Sequence, residues 1–332
     1  MAQGYPRVST VGNEHWYYVK YLRSNNVLEE KGDKQGCRTA VPQVMGADRQ
    51  LWKVVEAEGF SRNKKYQLVS KSGRTLYVNG TNPSSSRFKA ATKATDIQSF
   101  HIFQSTNSSY GEGALELAPD STGSNAMNQV AEIRVGQELG LWTIGDINNL
   151  LSFVGKDEMV FPYTMPVLST AAHPVYYYIQ FQTGNWLLSA KGEKATCQTA
   201  SLHNGNPDDM LWRVAEKDGK YSFVSKSGKI LYVSDSYVNA TKSRTVKDTL
   251  FTMVESNNSL GGFEIGKSTS GRNFFNMFQG AGDGKYISFW DLGDGGNVVR
   301  FVPSDEMVPV SGIATFNQIG RASCRERVSS PV

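Results

Sequence analysis

The sequence predicts an all-β protein built as two tandem β-trefoils, and three observations carry that expectation. Residues 141–160, LWTIGDINNLLSFVGKDEMV, return almost unchanged at 289–308 as FWDLGDGGNVVRFVPSDEMV. The remaining sequence reads as short aromatic and β-branched runs punctuated by Asn- and Gly-containing turns, with no helical spacing sustained. Within each copy a strand pair, a polar loop and an aromatic strand recur three times, which suggests threefold internal symmetry. A fixed-period self-match outranks any single motif, because missing it misassigns the whole fold.

The duplication is gap-free at both ends. Trp142, Gly145, Asp146, Asn149, Phe153, Asp157 and Glu158 recur 148 positions later as Trp290, Gly293, Asp294, Asn297, Phe301, Asp305 and Glu306. Residues 16–54 align with 176–214 at an offset of 160, pairing Tyr17 with Tyr177, Cys37 with Cys197 and Trp52 with Trp212. Even the lead-ins correspond, Pro6 with Pro166 and Thr10 with Thr170. The expected organisation is a first trefoil over 1–162, a linker over 163–168, a second trefoil over 169–311, and a truncated continuation with an extraneous tail over 312–332.

Taken in order, residues 16–22 predict a strand, Asn25-Asn26 a turn, and Val27-Leu28 its return. Residues 66–70 and 76–78 predict a hairpin about Gly73, which can supply the positive φ such a turn needs. Residues 221–225 and 231–233 repeat it about Gly228. Trp52, Phe100 and Phe153 are spaced 48 and 53 apart, and Trp212, Phe251 and Phe301 are spaced 39 and 50 apart. All six are expected in the core as closing aromatics of the three units. A trefoil closes its strands into a barrel and so leaves no long exposed edge.

Length and composition agree. A chain of 332 residues suits about two domains, and 39% hydrophobic residues with 32 glycines suit compact, turn-rich ones. No run reaches the roughly 18 apolar residues a membrane span needs, so no membrane insertion is expected. Residues 319–328, IGRASCRERV, are unrelated to the repeats and resemble translated sequencing-adapter DNA. Setting that tail aside leaves 32 basic against 30 acidic residues instead of the formal +4, so no nucleic-acid footprint is expected. It also leaves two cysteines, Cys37 and Cys197, at equivalent positions. Separate domains keep these apart, so both are expected as buried small hydrophobes.

The catalytic search finds no His-Glu-x-x-His, Gly-x-Ser-x-Gly, Walker or dinucleotide motif. His15, His101, His173 and His203 are scattered without metal spacing. Asp157-Glu158 and Asp305-Glu306 are adjacent in the chain, whereas a glycosidase pair must flank a bond about 5–10 Å apart. Residues 291–297, DLGDGGN, lack the ligand pattern of a calcium loop. No cofactor, metal or catalytic residue is expected.

At Gln50-Leu51-Trp52 the chain resembles the Gln-x-Trp signature of ricin-type β-trefoil lectin modules. Leu141-Trp142-Thr143, followed by Asn149 and Phe153, resembles the later part of a repeat in that family, and Gln98-Ser99-Phe100 echoes it. The resemblance spans about 6–162 and 166–310. Met210 departs from it where Gln50 stands, as does the lack of that family's paired disulfide cysteines. The tandem arrangement also resembles accessory modules of gut Bacteroidetes carbohydrate-active proteins. The resemblance implies a non-catalytic glycan- or polysaccharide-binding region. It would be the N-terminal part of a larger exported bacterial protein, acting outside the cytoplasm and leaving room for a downstream catalytic domain.

A sugar presents apolar C–H faces and a ring of hydroxyls, so binding takes an aromatic platform beside fixed carboxylate and amide groups. Trp142, Asp146 and Asn149 supply both chemistries, as do Trp290, Asp291, Asp294 and Asn297. A structural role stays open beside this one, with the tryptophans plugging the barrel and the Asp and Asn shaping the hairpin. Trp186, following Asn185 at a predicted hairpin tip, is expected as a further exposed platform and has no counterpart in the first copy. A protein-interaction or spacer role without sugar binding is the alternative function, and a stand-alone enzyme ranks third.

Overall fold

A computed structural model describes residues 5–57, 64–93, 96–111, 113–119, 125–129 and 135–307. The tail at 319–332 lies outside the described residues. The fold is all-β, and among the described residues the longest helix is the single turn Pro207–Met210.

Six strands close the first barrel: Tyr17–Tyr21, Leu51–Glu56, Tyr66–Ser70, His101–Gln104, Leu115–Ala118 and Leu151–Gly155. Each pairs with the next in that order, Tyr66 bridging Phe100, and the last returns to the first with Leu151 opposite Tyr21. Three hairpins cap it: Val27–Glu29 with Arg38–Ala40, Thr75–Val78 with Phe88–Ala91, and Asn125–Gln129 with Leu139–Thr143. Cross-hairpin pairs Gln35 with Ala90, Arg38 with Glu138, and Arg87 with Gly140 tie the caps together. Residues 177–303 repeat the closed barrel of six strands, Tyr221 bridging Phe251, with three hairpins of their own. This is a β-trefoil twice over.

The register explains the core. Trp52, Phe100, Trp212 and Phe251 are wholly buried, and each indole Nε1–H donates to a carbonyl, Trp52 to Leu28 at 3.1 Å and Trp212 to Leu188 at 2.9 Å. Trp52 lies opposite Tyr17 and Phe100 opposite Tyr66, but in the third unit Leu115 faces Leu151. In the second trefoil Phe263 likewise faces Val299. Leu151 and Val299 therefore occupy the places expected of Phe153 and Phe301. Side chains two apart share a strand face, so both phenylalanines still point inward, one rung further along. Phe153 is only partly buried there, edge-on to Tyr17, whereas Phe301 is inside the core. Cys37 and Cys197 are free and wholly buried, and burial pushes both thiols well up.

The two barrels meet across a specific contact. Val41 of the first inserts into the apolar cluster of the second, and Tyr163, from the segment read as a linker, is buried edge-on against Phe263 at 5.1 Å. Beside them the Glu255 carboxylate accepts the backbone N–H of Val44 and of Met45. The Tyr163 hydroxyl lies 3.1 Å from both that carboxylate and the Pro42 carbonyl. Gly261, with φ of 64°, lies under this contact, where a Cβ would come within 3.1 Å of Val41 and 3.2 Å of Tyr163.

Burial pushes the Glu255 carboxyl up to about 7, against the backbone N–H groups and the Tyr163 hydroxyl, which pull it down. A proton is then held more tightly in the docked chain than by an ordinary carboxyl. Its contribution is full below about pH 4.5 and is lost as pH rises through about 7. Wild-type protein is expected to lose on the order of 1–2 kcal/mol relative to Glu255→Gln between pH 5 and 8.5, after allowance for solvent screening. Melting both proteins across that range checks it; a pH-independent difference between them would contradict it.

Candidate functional site

The site in each copy is built from a buried carboxylate upward. Glu116 and Glu264 have no exposed surface, and a charge so placed persists only when its lone pairs are satisfied. Glu116 accepts the Ser105 hydroxyl, the Gly145 N–H at 3.0 and 3.1 Å, and the Asn149 side-chain amide at 2.9 Å. Glu264 accepts Ser256, Gly293 and Asn297 in the same way. Gly145 and Gly293 hold φ of 83° and 90°, a turn that aims their N–H groups inward and that side chains disfavour.

Above the carboxylate the network continues outward. Asn149 donates also to the Thr143 carbonyl at 2.8 Å and accepts from the Asn128 amide at 2.7 Å. Asp146 caps the 3-10 turn Ile147–Asn149, its Oδ1 accepting the Asn148 N–H at 2.8 Å and the Asn128 amide at 3.3 Å. Asn276, Asp294 and Asn297 reproduce each contact around Gly295–Asn297. The bracket fixes the turn and therefore the strand end that carries each tryptophan.

What the bracket presents differs between the copies. Trp142 is 53% exposed and does not plug the barrel. It walls a cavity of about 380 Å³ with Asn128, Leu141, Asp146 and Asn148, closed opposite by Pro83, Ser84 and Arg87. That volume is within the range of small-molecule sites. Trp290 is 43% exposed, but the Arg272 guanidinium lies 4.3 Å from its ring centre and pairs with Asp291 at 3.0 Å. The opposite wall is also reduced: nine residues separate the cap strands Thr75–Val78 and Phe88–Ala91, and two separate Ile230–Ser234 and Tyr237–Thr241.

Several expected site residues fall elsewhere. Asn149 and Asn297 are wholly buried with every amide position engaged, so they support the turn and do not face a ligand. Trp186 is not an exposed platform. It is half-buried against the second core, its indole over Gly184, where a Cβ would come within 2.7 Å of Nε1. The φ of 80° at Gly184 and 57° at Asn185 make the tight turn that folds the indole back. Asp294 caps a turn at the surface and Asp291 is held by Arg272.

Sequence reasoning missed Glu116, Asn128, Asn148 and Arg87. The first two carried a signal, since Glu264 and Asn276 stand 148 positions on, in step with Trp142 and Trp290. A further cavity of about 320 Å³, at the first unit of the second trefoil, is lined by polar residues such as Gln198, Asn206, Asp209 and Asp283. It contains no aromatic side chain, so it lacks a platform for a sugar face.

No protein-family model and no curated relative matches the sequence. Among solved structures the chain is similar to a mosquitocidal holotoxin, at 13% identity and a TM-score of 0.49 over 87% of this chain and 34% of that one. The chain thus spans about a third of the holotoxin's length. It is also similar to a Macrolepiota procera ricin B-like lectin in complex with lactose, at 18% identity and a TM-score of 0.35, covering 44% of this chain and 97% of that one. The Rhizoctonia solani agglutinin matches at 13% identity and a TM-score of 0.35, over 45% and 99%.

Because Asn149 supports a buried carboxylate, Asn149→Ala is expected to destabilise the protein by about 1–3 kcal/mol, the cost of leaving buried polar partners unsatisfied. Urea unfolding checks this. Unchanged stability with weakened ligand binding would return Asn149 to the binding surface.

Proposed function

We propose that the chain is a non-catalytic carbohydrate-binding tandem module whose principal site is the Trp142 cavity of the first trefoil. The observation that carries this reading is the half-exposed indole at the wall of a preformed cavity, beside the Asp146 carboxylate and the Asn128 amide tied to the buried network and the Asn148 amide held by Arg23 at 2.7 Å. The indole offers a face to sugar C–H groups; Asp146 accepts hydroxyl hydrogens, and the Asn128 and Asn148 side chains and Arg87 complete the polar lining. Asp146 is the one carboxylate of that lining, whereas glycoside hydrolysis takes two flanking the bond. The likeness to ricin B-like lectins agrees in kind. The proposal extends to trefoils bounded at 1–162 and 169–311, belonging to a larger exported bacterial glycan-active protein that works outside the cytoplasm.

A protein-interaction role is the second reading, and one observation favours it. On the cap of the second trefoil, Tyr237 packs edge-on at 6.1 Å to both Phe278 and Tyr286, and the last two are substantially exposed. In the first copy Arg87 and Glu138 stand there instead, 3.8 Å apart.

Trp142→Ala in the full chain is expected to weaken glycan binding at least about tenfold, the worth of one stacking contact of roughly 1.4 kcal/mol. Its melting temperature should stay unchanged, because the ring lies outside the core. Trp290→Ala should leave affinity unaltered. Glycan-array screening followed by calorimetry on the best oligosaccharide measures this; undiminished binding by Trp142→Ala would move the sugar site away from this cavity, and no glycan binding by the intact chain would move the assignment to the protein-interaction reading.

A further inference from the structure

A second kind of cavity, of about 350 Å³, lies between the trefoils. Lys20, Asn25 and Asn26 wall it from the first barrel, Pro42 and Phe161 from the connecting segments, and Leu260 from the second. Its lining includes no acidic residue.

The charges at this junction are peculiar to it. Lys20 stands where the second copy has Gln180, and Arg300 stands where the first has Ser152. The duplication thus carries a cation at each of two otherwise neutral positions, and both flank the junction. The Arg300 guanidinium donates Nη2–H to the carbonyl of Leu260, itself a wall of the cleft, at 3.3 Å, while its buried Nε has no partner among the described residues. The Lys20 side chain is half-buried and makes no hydrogen bond or ion pair among the described residues. Burial alone pulls its ammonium below the usual range. The acid of this junction, Glu255, is committed to the Val44 and Met45 N–H groups. A partly desolvated cation without a counter-ion is unfavourable, and an anion of suitable size would relieve it.

We propose that this interdomain cleft binds an acidic monosaccharide, its carboxylate or sulfate seated on Lys20 and its ring between Pro42, Phe161 and Leu260. The amides of Asn25 and Asn26 are placed to take ring hydroxyls. Such a ligand touches both trefoils, so its binding also strengthens their docking. The inference is independent of the Trp142 site.

The test uses the full chain carrying Trp142→Ala, which silences the other cavity. Calorimetric titrations with D-glucuronate, D-glucose 6-sulfate and neutral D-glucose are expected to give saturable binding for one or both anions and none for glucose. The anion that binds identifies the group recognised, and it should raise the melting temperature. Adding Lys20→Gln should abolish the binding, and Lys20→Arg should retain it. Binding of glucose equal to that of the anions would overturn the proposal. So would anion binding that survives Lys20→Gln, or no anion binding by a variant that melts normally.

Discussion

A carboxylate with no exposed surface can sit inside a β-barrel wall only if donors surround it, and Glu116 and Glu264 impose that requirement on everything near them. Each draws in a serine hydroxyl, a glycine N–H and an asparagine amide. Satisfying the acid forces Gly145 and Gly293 into the left-handed turn, buries Asn149 and Asn297, and sets Asp146 and Asp294 as caps. The short cap strand before each turn then has little freedom, so Trp142 and Trp290 stand at fixed places on the outer surface. Residues wholly inside the protein in this way determine what its surface can bind.

The two copies show how function separates from fold once such a bracket exists. Both keep the acid, the glycine, both asparagines and the aspartate. The first keeps an open indole and a long cap loop that supplies the opposite wall; the second places Arg272 and Asp291 over its indole and shortens that loop. Duplication preserved the part that costs stability to change. The exposed part, where substitutions are tolerated, diverged. The same division appears at the junction, where Lys20 and Arg300 depart from Gln180 and Ser152, and where Glu255 of the second barrel holds the Val44 and Met45 N–H groups of the first.

Much of the fold was legible because repetition is independent of conformation. The offsets of 148 and 160 needed no structural assumption, and Trp52 and Trp212 were recognisable as core anchors. Phe153 was misplaced by one rung because residues two apart share a strand face, so pattern alone could not choose between it and Leu151. Asn149 looked like a ligand group because it follows Asp146 in a turn, and nothing in the local sequence reveals burial. Glu116 hid for the converse reason: an acid between two leucines reads as the solvent-facing member of an alternating strand. Trp186 misled because a turn with two positive φ values usually exposes the next side chain, whereas here Gly184 leaves room for the indole to fold back.

Six tryptophans make the central claim open to one direct measurement. In protein labelled with nitrogen-15 at its indoles, each tryptophan gives its own Nε1–H resonance, and those of Trp52 and Trp212, bonded to internal carbonyls, serve as fixed references. Titration with an oligosaccharide selected by array screening should move the Trp142 signal progressively to saturation and leave those of Trp186 and Trp290 in place. A saturable shift of Trp290 or Trp186 with Trp142 unmoved would contradict the account.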